Sequence, residues 1–315
     1  MVSSFLKRAS MALVVLFGVS VLSFVLSAIS PVDPAEAFAR RTLLGGVTPE
    51  KIEEIRIQMG TDQPMHTQYL RWLRGVARGD FGLSLMSRKP VAADIAAYLP
   101  LTLKLSGLSL LLVAVMSVPV AALCAARKNG ALDHIMRGAT VVGLSIPNFW
   151  LGFLLLLLFA VIVPVFKVVE PGSGIRALLL PAFALAVPMA SSSIRIFRAT
   201  VLSEMNKDYV TFARARGLSA RRVLWLHVMK NALPTMLTML CQNFGYMIAG
   251  SAVLETIFSL NGLGRYMVNA IIGRDLPAIN GCVLVVALIF VAMNALADLL
   301  NARIAPRMAG GAERA

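Results

Sequence analysis

Long apolar stretches separated by shorter polar ones dominate the pattern of this 315-residue chain. A run of about 20 apolar residues is long enough to cross the hydrocarbon core of a bilayer as a helix. The pattern therefore predicts an all-α integral membrane protein with six transmembrane helices. Their expected positions are Met11–Ile29, Leu99–Ala126, Gly138–Val163, Ala177–Phe197, Thr235–Ile257 and Cys282–Ala302.

The longest polar segment, residues 31–98, has the pattern of a small helical lobe. A cap residue, a proline and an acid at 48–50 are typical of a helix start, and apolar side chains from Tyr69 to Val76 then recur at helical spacing. We expect this lobe on the extracytoplasmic face. The predicted organisation is an N-terminal tail with the first transmembrane helix (1–30), the lobe (31–98), a five-helix core (99–305) that contains a cytoplasmic loop (198–234), and a cytoplasmic tail (306–315).

Basic residues lie where a membrane topology requires them. The chain is 58% hydrophobic and 15% charged, with a net charge of +14. Lys7 and Arg8 precede the first apolar run, and Arg303 and Arg307 follow the last one, so the positive-inside rule predicts that both termini are cytoplasmic. The sequence has neither a long basic tail nor the aromatic–basic pattern of a nucleic-acid module, and we expect no nucleic-acid partner.

The polar segment from Asp208 to Pro234 interrupts two spans, yet it has the pattern of ordered helix. Asp208 is expected to cap a first helix. Tyr209, Phe212 and Ala213 follow at i, i+3 and i+4 and are predicted to share one face of that helix.

A second helix is expected after a turn at Gly217, which lies where a helix would end in the left-handed conformation. Ser219 can cap this helix, with Arg221 and Arg222 displayed at its start. Trp225, Leu226 and Met229 share one side of it. A loop exposed only to water would not need so many aromatic and leucine side chains, so the segment is predicted to dock against another protein.

Small and helix-breaking residues mark three of the predicted spans. Pro147 should kink the third span, because proline removes a backbone hydrogen bond. Small side chains in the fourth and fifth spans indicate either close helix packing, which we favour, or the wall of a translocation path. The candidates for the path are Ser191, Ser192, Gly245, Gly250 and Ser251.

Motifs for catalysis are missing from the sequence. It contains no phosphate-binding G-x-x-x-x-G-K-[ST], no H-E-x-x-H and no G-x-S-x-G. The three cysteines, Cys124, Cys241 and Cys282, lie far apart in apolar runs, and no pair has metal-ligand spacing. We therefore expect neither an enzyme nor a metal site in this chain.

The 208–234 segment resembles the cytoplasmic loop, known as the EAA loop, of permease subunits in binding-protein-dependent ABC importers. The match is to the peptide/nickel branch, whose pattern DYV-x-x-AR-A-K/R-GL…RNA-x-x-P is met from Asp208 to Leu218 and again at Asn231, Ala232 and Pro234. Thr211 replaces the acid of the wider family. By this resemblance the loop that couples to the ATPase comprises Asp208, Tyr209, Ala213, Arg214, Ala215, Arg216, Gly217, Leu218, Arg221, Arg222, Asn231 and Pro234.

Two further stretches resemble the same branch. They are 79–91 and 255–277, although Asn261 stands where the family usually has proline. The resemblance implies a second homologous permease, two ATPase subunits that hold ATP and Mg²⁺, an extracytoplasmic solute-binding protein and a bacterial inner membrane. It leaves the cargo open between small peptides, our first choice, and nickel or a metal–chelator complex. A stand-alone secondary transporter or channel is the alternative from another class; an intramembrane enzyme would need a nucleophile–base pair that we cannot identify.

Overall fold

A computed structural model of the chain describes residues 2–29, 33–42, 47–168 and 174–304. Every regular element within those ranges is helical, and the one isolated β-bridge joins Leu83 to Pro90. This confirms the all-α class. The predicted cytoplasmic tail, 306–315, lies outside the described residues.

The chain forms two compact units. One consists of Met1–Pro100 and Asn261–Ile289, and the other of Leu101–Leu260 and Phe290–Ala315. Two long helices begin in the first unit and continue in the second; they are α5 (Val91–Ala126) and α13 (Leu276–Ile304).

Short amphipathic helices and one long apolar helix make up most of the first unit. As the sequence predicts, Thr48 caps a helix with its side chain, and Pro49 is the first helical residue. Tyr69 and Trp72 pack their rings against Phe24, with centroids 5.3 and 6.0 Å apart, so this apolar stripe covers the first helix. The complete helices of the unit are α1 (Val2–Ala28), α2 (Pro34–Thr42), α3 (Pro49–Met59), α4 (Met65–Val76) and α12 (Leu263–Ile272).

The second unit contains two buried apolar cores. One lies around Leu185, Met247 and Leu254, and the other around Phe197 and Val228. Its complete helices are α6 (Ala131–Ser145), α7 (Asn148–Leu156), α8 (Ile175–Met205), α9 (Asp208–Ala215), α10 (Ala220–Val223) and α11 (Met229–Ile257), with π-helical turns at Leu157–Ile162 and Leu224–Val228.

The third predicted span is broken rather than kinked. Helix α6 and the helix from Asn148 to Ile162 meet at an angle of 94°. Ile146 adopts an extended backbone (φ −83°, ψ 120°), because the residue before a proline is driven out of the helical region. A proline therefore ends one helix here and starts another, whereas Pro181 and Pro188 are accommodated inside α8.

Four helices in the described part of the chain are long and apolar enough to cross a membrane, or five if the bent pair is one span. The apolar part of α1, Ser10–Leu26, is shorter than these. The spans extend beyond the predicted apolar runs because flanking polar residues continue the helices. The four are α5, α8, α13 and a continuous helix from Ala220 to Ile257.

Candidate functional site

The 208–234 segment begins with a short helix whose first residue is Asp208. Lys207 is the N-cap residue and makes no side-chain cap, so the expected role of Asp208 as the cap is wrong by one position. Gly217 has φ +78°, as predicted. The amide of Gly217 donates to the Arg214 carbonyl (2.9 Å) and that of Leu218 to the Ala213 carbonyl (3.3 Å), so the last turn of α9 is closed by a left-handed cap.

After this turn the chain enters one continuous helix. The Ser219 hydroxyl accepts a hydrogen bond from the Arg222 amide (3.4 Å), which confirms the predicted cap. No break follows, because α10, the π-helical turn and α11 run together, with Pro234 inside the helix. The second half of the predicted loop is therefore the first part of a candidate membrane span.

One side of the segment is buried in the second unit. Val210 and Ala213 of α9 and Val223 and Val228 of the following helix pack with Phe197 of α8 in one apolar core. Tyr209 is half-buried at its edge. These contacts hold the short helices against the spans, although α9 has only eight residues and would not be stable alone.

The opposite side presents apolar side chains to the surroundings. Phe212, Trp225 and Leu226 remain 70%, 46% and 57% exposed. Phe212 therefore does not share the buried face of Ala213, which corrects the predicted stripe. The same segment carries four exposed arginines, Arg214, Arg216, Arg221 and Arg222. None of the four is in an ion pair within the described residues. We call these three apolar and four cationic side chains the docking surface.

A buried carboxylate that the sequence reading missed joins α8 to this segment. Glu204 accepts hydrogen bonds from the Lys207 ammonium (2.6 Å) and the Tyr209 hydroxyl (3.0 Å). The Asn231 side chain lies close enough to that hydroxyl to influence its pKa, so both ends of the motif are near Tyr209. The hydrogen bond to Glu204 raises the pKa of Lys207, and burial raises the pKa of Tyr209. The sequence signal that could have revealed this contact is an acid at the end of an apolar helix, three residues before Lys207 and five before Tyr209.

A second missed feature is a buried ion pair near the start of α6. Arg198 donates from Nε and Nη2 to the two carboxylate oxygens of Asp133, at 2.5 and 2.6 Å. The Asn129 amide donates to the same carboxylate (3.0 Å). This bidentate pair ties α6 to α8.

Three of the five candidate path residues are buried in contacts within the second unit. Ser191 lies so close to Gly143 that a Cβ on that glycine would be 2.2 Å from the serine hydroxyl. A Cβ on Gly245 would be 2.3 Å from the Phe290 ring. Ser251 donates to Glu255 (2.9 Å). Ser192 and Gly250 are half-buried. The contacts of the first three support the packing interpretation.

Helix α11 has a further face that is exposed. Gln242, Tyr246, Ala249 and Val253 follow at i, i+4, i+7 and i+11, and each of them is exposed. They form one stripe along the helix, on which Gln242 and Tyr246 contribute polar groups.

The two other motif stretches meet in the first unit. Asp275 accepts hydrogen bonds from the Ser84 hydroxyl (2.5 Å) and the Met86 amide (3.0 Å). Asp94 accepts from the hydroxyls of Ser87 (2.6 Å) and Tyr266 (3.1 Å). Two buried carboxylates therefore hold the loop at 83–90 against the segment at 262–277. Burial raises the pKa of Tyr266, and the nearby charge of Asp94 raises it further, so this hydroxyl stays a donor.

Metal-ligating side chains do not gather anywhere in the described part of the chain: no group of three His, Cys, Asp or Glu residues there could hold an ion.

Family models match almost the whole chain. A model described as "Binding-protein-dependent transport system inner membrane component" matches residues 117–310, and a model of the N-terminal part of such components matches residues 1–106. A Brucella abortus (strain 2308) protein named as a peptide transport system permease is 35% identical, covering 98% of this chain and 99% of its own.

Other relatives are similar over the same length. The dipeptide transport system permease protein DppB of Escherichia coli K12 is 31% identical and the oligopeptide transport system permease protein AppB of Bacillus subtilis 168 is 33% identical, each over 98% of this chain and 99% of the relative. A chain of the inward-facing MetNI methionine ABC transporter matches with a TM-score of 0.58 and 18% identity, over 67% of this chain and 95% of that chain. That similarity establishes the fold only.

Proposed function

The chain belongs to the binding-protein-dependent transport system inner membrane component family, and from that premise we propose that it is the permease subunit of an ATP-driven importer of small peptides. Members of this family work in the bacterial inner membrane as transport subunits and are not enzymes. ATP is hydrolysed by a separate subunit. The relatives named for peptide, dipeptide and oligopeptide transport favour a peptide cargo over nickel or a metal–chelator complex.

The docking surface is the observation that carries this proposal. Its apolar side chains fit a groove on an ATPase subunit, and its arginines suit acidic groups around that groove. Because the helix from Ala220 to Ile257 is continuous, movement of the ATPase at Trp225 would tilt a membrane span without a flexible joint. The π-helical turn at Leu224–Val228 lies at the point of contact, where such turns often serve function.

Six membrane crossings with both termini in the cytoplasm fit the same picture. The four long candidate spans and the bent pair would supply five crossings, and α1 would supply the sixth if its polar flanks reach the interfaces. The docking surface and the buried Asp133–Arg198 pair would then lie on the cytoplasmic side. The helices α2 to α4 would form the extracytoplasmic lobe.

For the translocation path we favour the exposed stripe of α11 over the buried small residues. Tyr246 and Gln242 offer a stacking surface and hydrogen-bonding groups to a passing peptide, while Ala249 leaves room. Ser192 and Gly250, which are half-buried, are the earlier candidates that could still border the path.

A second homologous permease would face this stripe and close the path. Two ATPase subunits, with bound ATP and Mg²⁺, would act from the cytoplasm, and a solute-binding protein from outside. The loop at 83–90 and the segment at 262–277, which Asp94 and Asp275 hold together, would form the surface that receives the binding protein.

Replacing Trp225 with alanine tests the docking surface. Truncation of a central aromatic residue typically costs about 2 kcal/mol of binding, so we expect roughly 30-fold weaker association of the ATPase subunit. The matched control is Trp150→Ala, because Trp150 is 48% exposed on another helix. Co-purification and ATP-driven uptake should fall for the first variant only. Equal losses, or none for Trp225→Ala, would count against the docking role.

The cargo is tested separately. Mass spectrometry of the solute-binding protein that works with this permease should identify bound di- or oligopeptides. Recovery of nickel or a chelate instead would overturn the peptide assignment and leave the coupling mechanism unaffected.

A further inference from the structure

An apolar groove lies between α1 and the first part of α13. Its volume is about 400 Å³, and its walls carry Leu22 and Leu26 on one side and Ile279 and Val283 on the other. Ser23 also lines the groove, and its hydroxyl is satisfied because it donates to the Asn280 side chain at 2.5 Å. The walls therefore offer an apolar ligand surface without a cost in unpaired groups.

One cation lines this groove, and its backbone is strained. Arg274 has φ +53°, a left-handed conformation that residues with a Cβ rarely adopt. Its guanidinium is exposed and is not in a hydrogen bond or ion pair within the described ranges. The neighbouring carboxylate of Asp275 is occupied by Ser84, Met86 and Ala278. The Arg274 guanidinium is therefore available to an anionic ligand at the groove.

The positions of the cation and the apolar walls match the arrangement of a phospholipid. Arg274 precedes the first residue of α13, Leu276, by two positions, so it lies at the end of a candidate span. The walls belong to that span and to the apolar part of α1, Ser10–Leu26. Headgroup phosphates lie at the ends of spans and acyl chains along their length.

We propose that this groove binds an anionic phospholipid, with one acyl chain between α1 and α13 and the phosphate on Arg274. A guanidinium can donate two parallel hydrogen bonds to a phosphate. An anionic lipid is favoured over phosphatidylethanolamine because the ammonium of the latter would lie near the guanidinium and repel it. This site is independent of ATPase docking and of the cargo. It borders the segment at 262–277 that we propose receives the solute-binding protein, and the test below contains no such protein.

The test is native mass spectrometry of the purified, delipidated full-length chain, titrated with dioleoylphosphatidylglycerol or dioleoylphosphatidylethanolamine. Loss of charge-assisted hydrogen bonds should weaken phosphatidylglycerol binding about tenfold in Arg274→Gln. Arg274→Lys should retain part of the affinity. The matched control is Arg88→Gln, because Arg88 is also exposed, has φ +58° and does not line the groove.

A second variant tests the apolar half of the site. Leu22 is exposed at the groove, so Leu22→Trp should fill the acyl position without disturbing a core, and phosphatidylglycerol binding should fall. Wild-type binding by either Arg274→Gln or Leu22→Trp would overturn the proposal. So would equal affinity of the unmodified chain for the two lipids.

Discussion

Replacing Gly217 tests the backbone conformation of the turn without introducing a steric clash. Gly217 has φ +78°, and a Cβ built on it would have no atom within 4 Å. A substitution there therefore costs only the backbone penalty of a left-handed residue, about 1–2 kcal/mol for most side chains. That is small against the 5–15 kcal/mol that holds a typical fold together, so the variants should still insert and fold.

The penalty acts on docking by lowering the population of the correct turn. A penalty of about 1.4 kcal/mol reduces the ratio of the correct turn to an alternative turn about tenfold; where the two turns are close in free energy, apparent ATPase affinity falls about fivefold to tenfold. We expect this for Gly217→Val, because a β-branched residue tolerates the left-handed region poorly. Gly217→Asn should stay within about threefold of the unmodified chain, since asparagine adopts this conformation readily.

The assay is ATP-driven uptake into proteoliposomes at increasing ATPase subunit concentration, with thermal unfolding of each variant measured in parallel. The two side chains have similar size, so a difference between them reports backbone conformation. Equal uptake by Gly217→Val and the unmodified chain would refute the role of the turn. Equal loss in both variants would show that a side chain at this position obstructs the partner directly.

Two further predictions concern packing inside the second unit. Asp133→Asn leaves Arg198 with an uncompensated charge and should lower the free energy of unfolding by about 3–5 kcal/mol. The double change of Asp133→Leu with Arg198→Met should lower it much less. Thermal unfolding in detergent compares the two variants, and equal losses would contradict a stabilising ion pair. Gly245→Ala places a Cβ 2.3 Å from the Phe290 ring and should lower the free energy of unfolding by about 1–3 kcal/mol. Adding Phe290→Val should restore part of that loss. If the same measurement shows no rescue, the clash is not with the Phe290 ring.

Local chemistry made part of this structure predictable. Thr48 and Ser219 have the short polar side chains that cap helices, and both do so. Gly217 ends a helix because only glycine enters the left-handed region without cost. Each of these features depends on residues within a few positions, so the local sequence is sufficient to predict it.

The orientation of side chains on α9 required the structure. Helical spacing groups Phe212 with Ala213, but neighbouring positions on a helix differ by about 100°, and the packing of Phe197 and Val201 decides which edge is buried. The core takes Val210 and Ala213 and leaves Phe212 outside. The result strengthens the docking proposal, because the exposed aromatic side chain has no structural use within the described chain.

By itself, the sequence determined the helical class, the long apolar spans, the turn at Gly217 and the family, because each follows from composition or local pattern. Only the tertiary structure decided that the chain turns by 94° at Pro147. It also decided that Asp275 hydrogen-bonds to Ser84, 191 positions away in the sequence, and that Arg198 pairs with Asp133, 65 positions away. Such pairs form where packed helices bring buried charges and polar groups together. A buried carboxylate requires hydrogen-bond partners, and the fold selects which distant residues supply them.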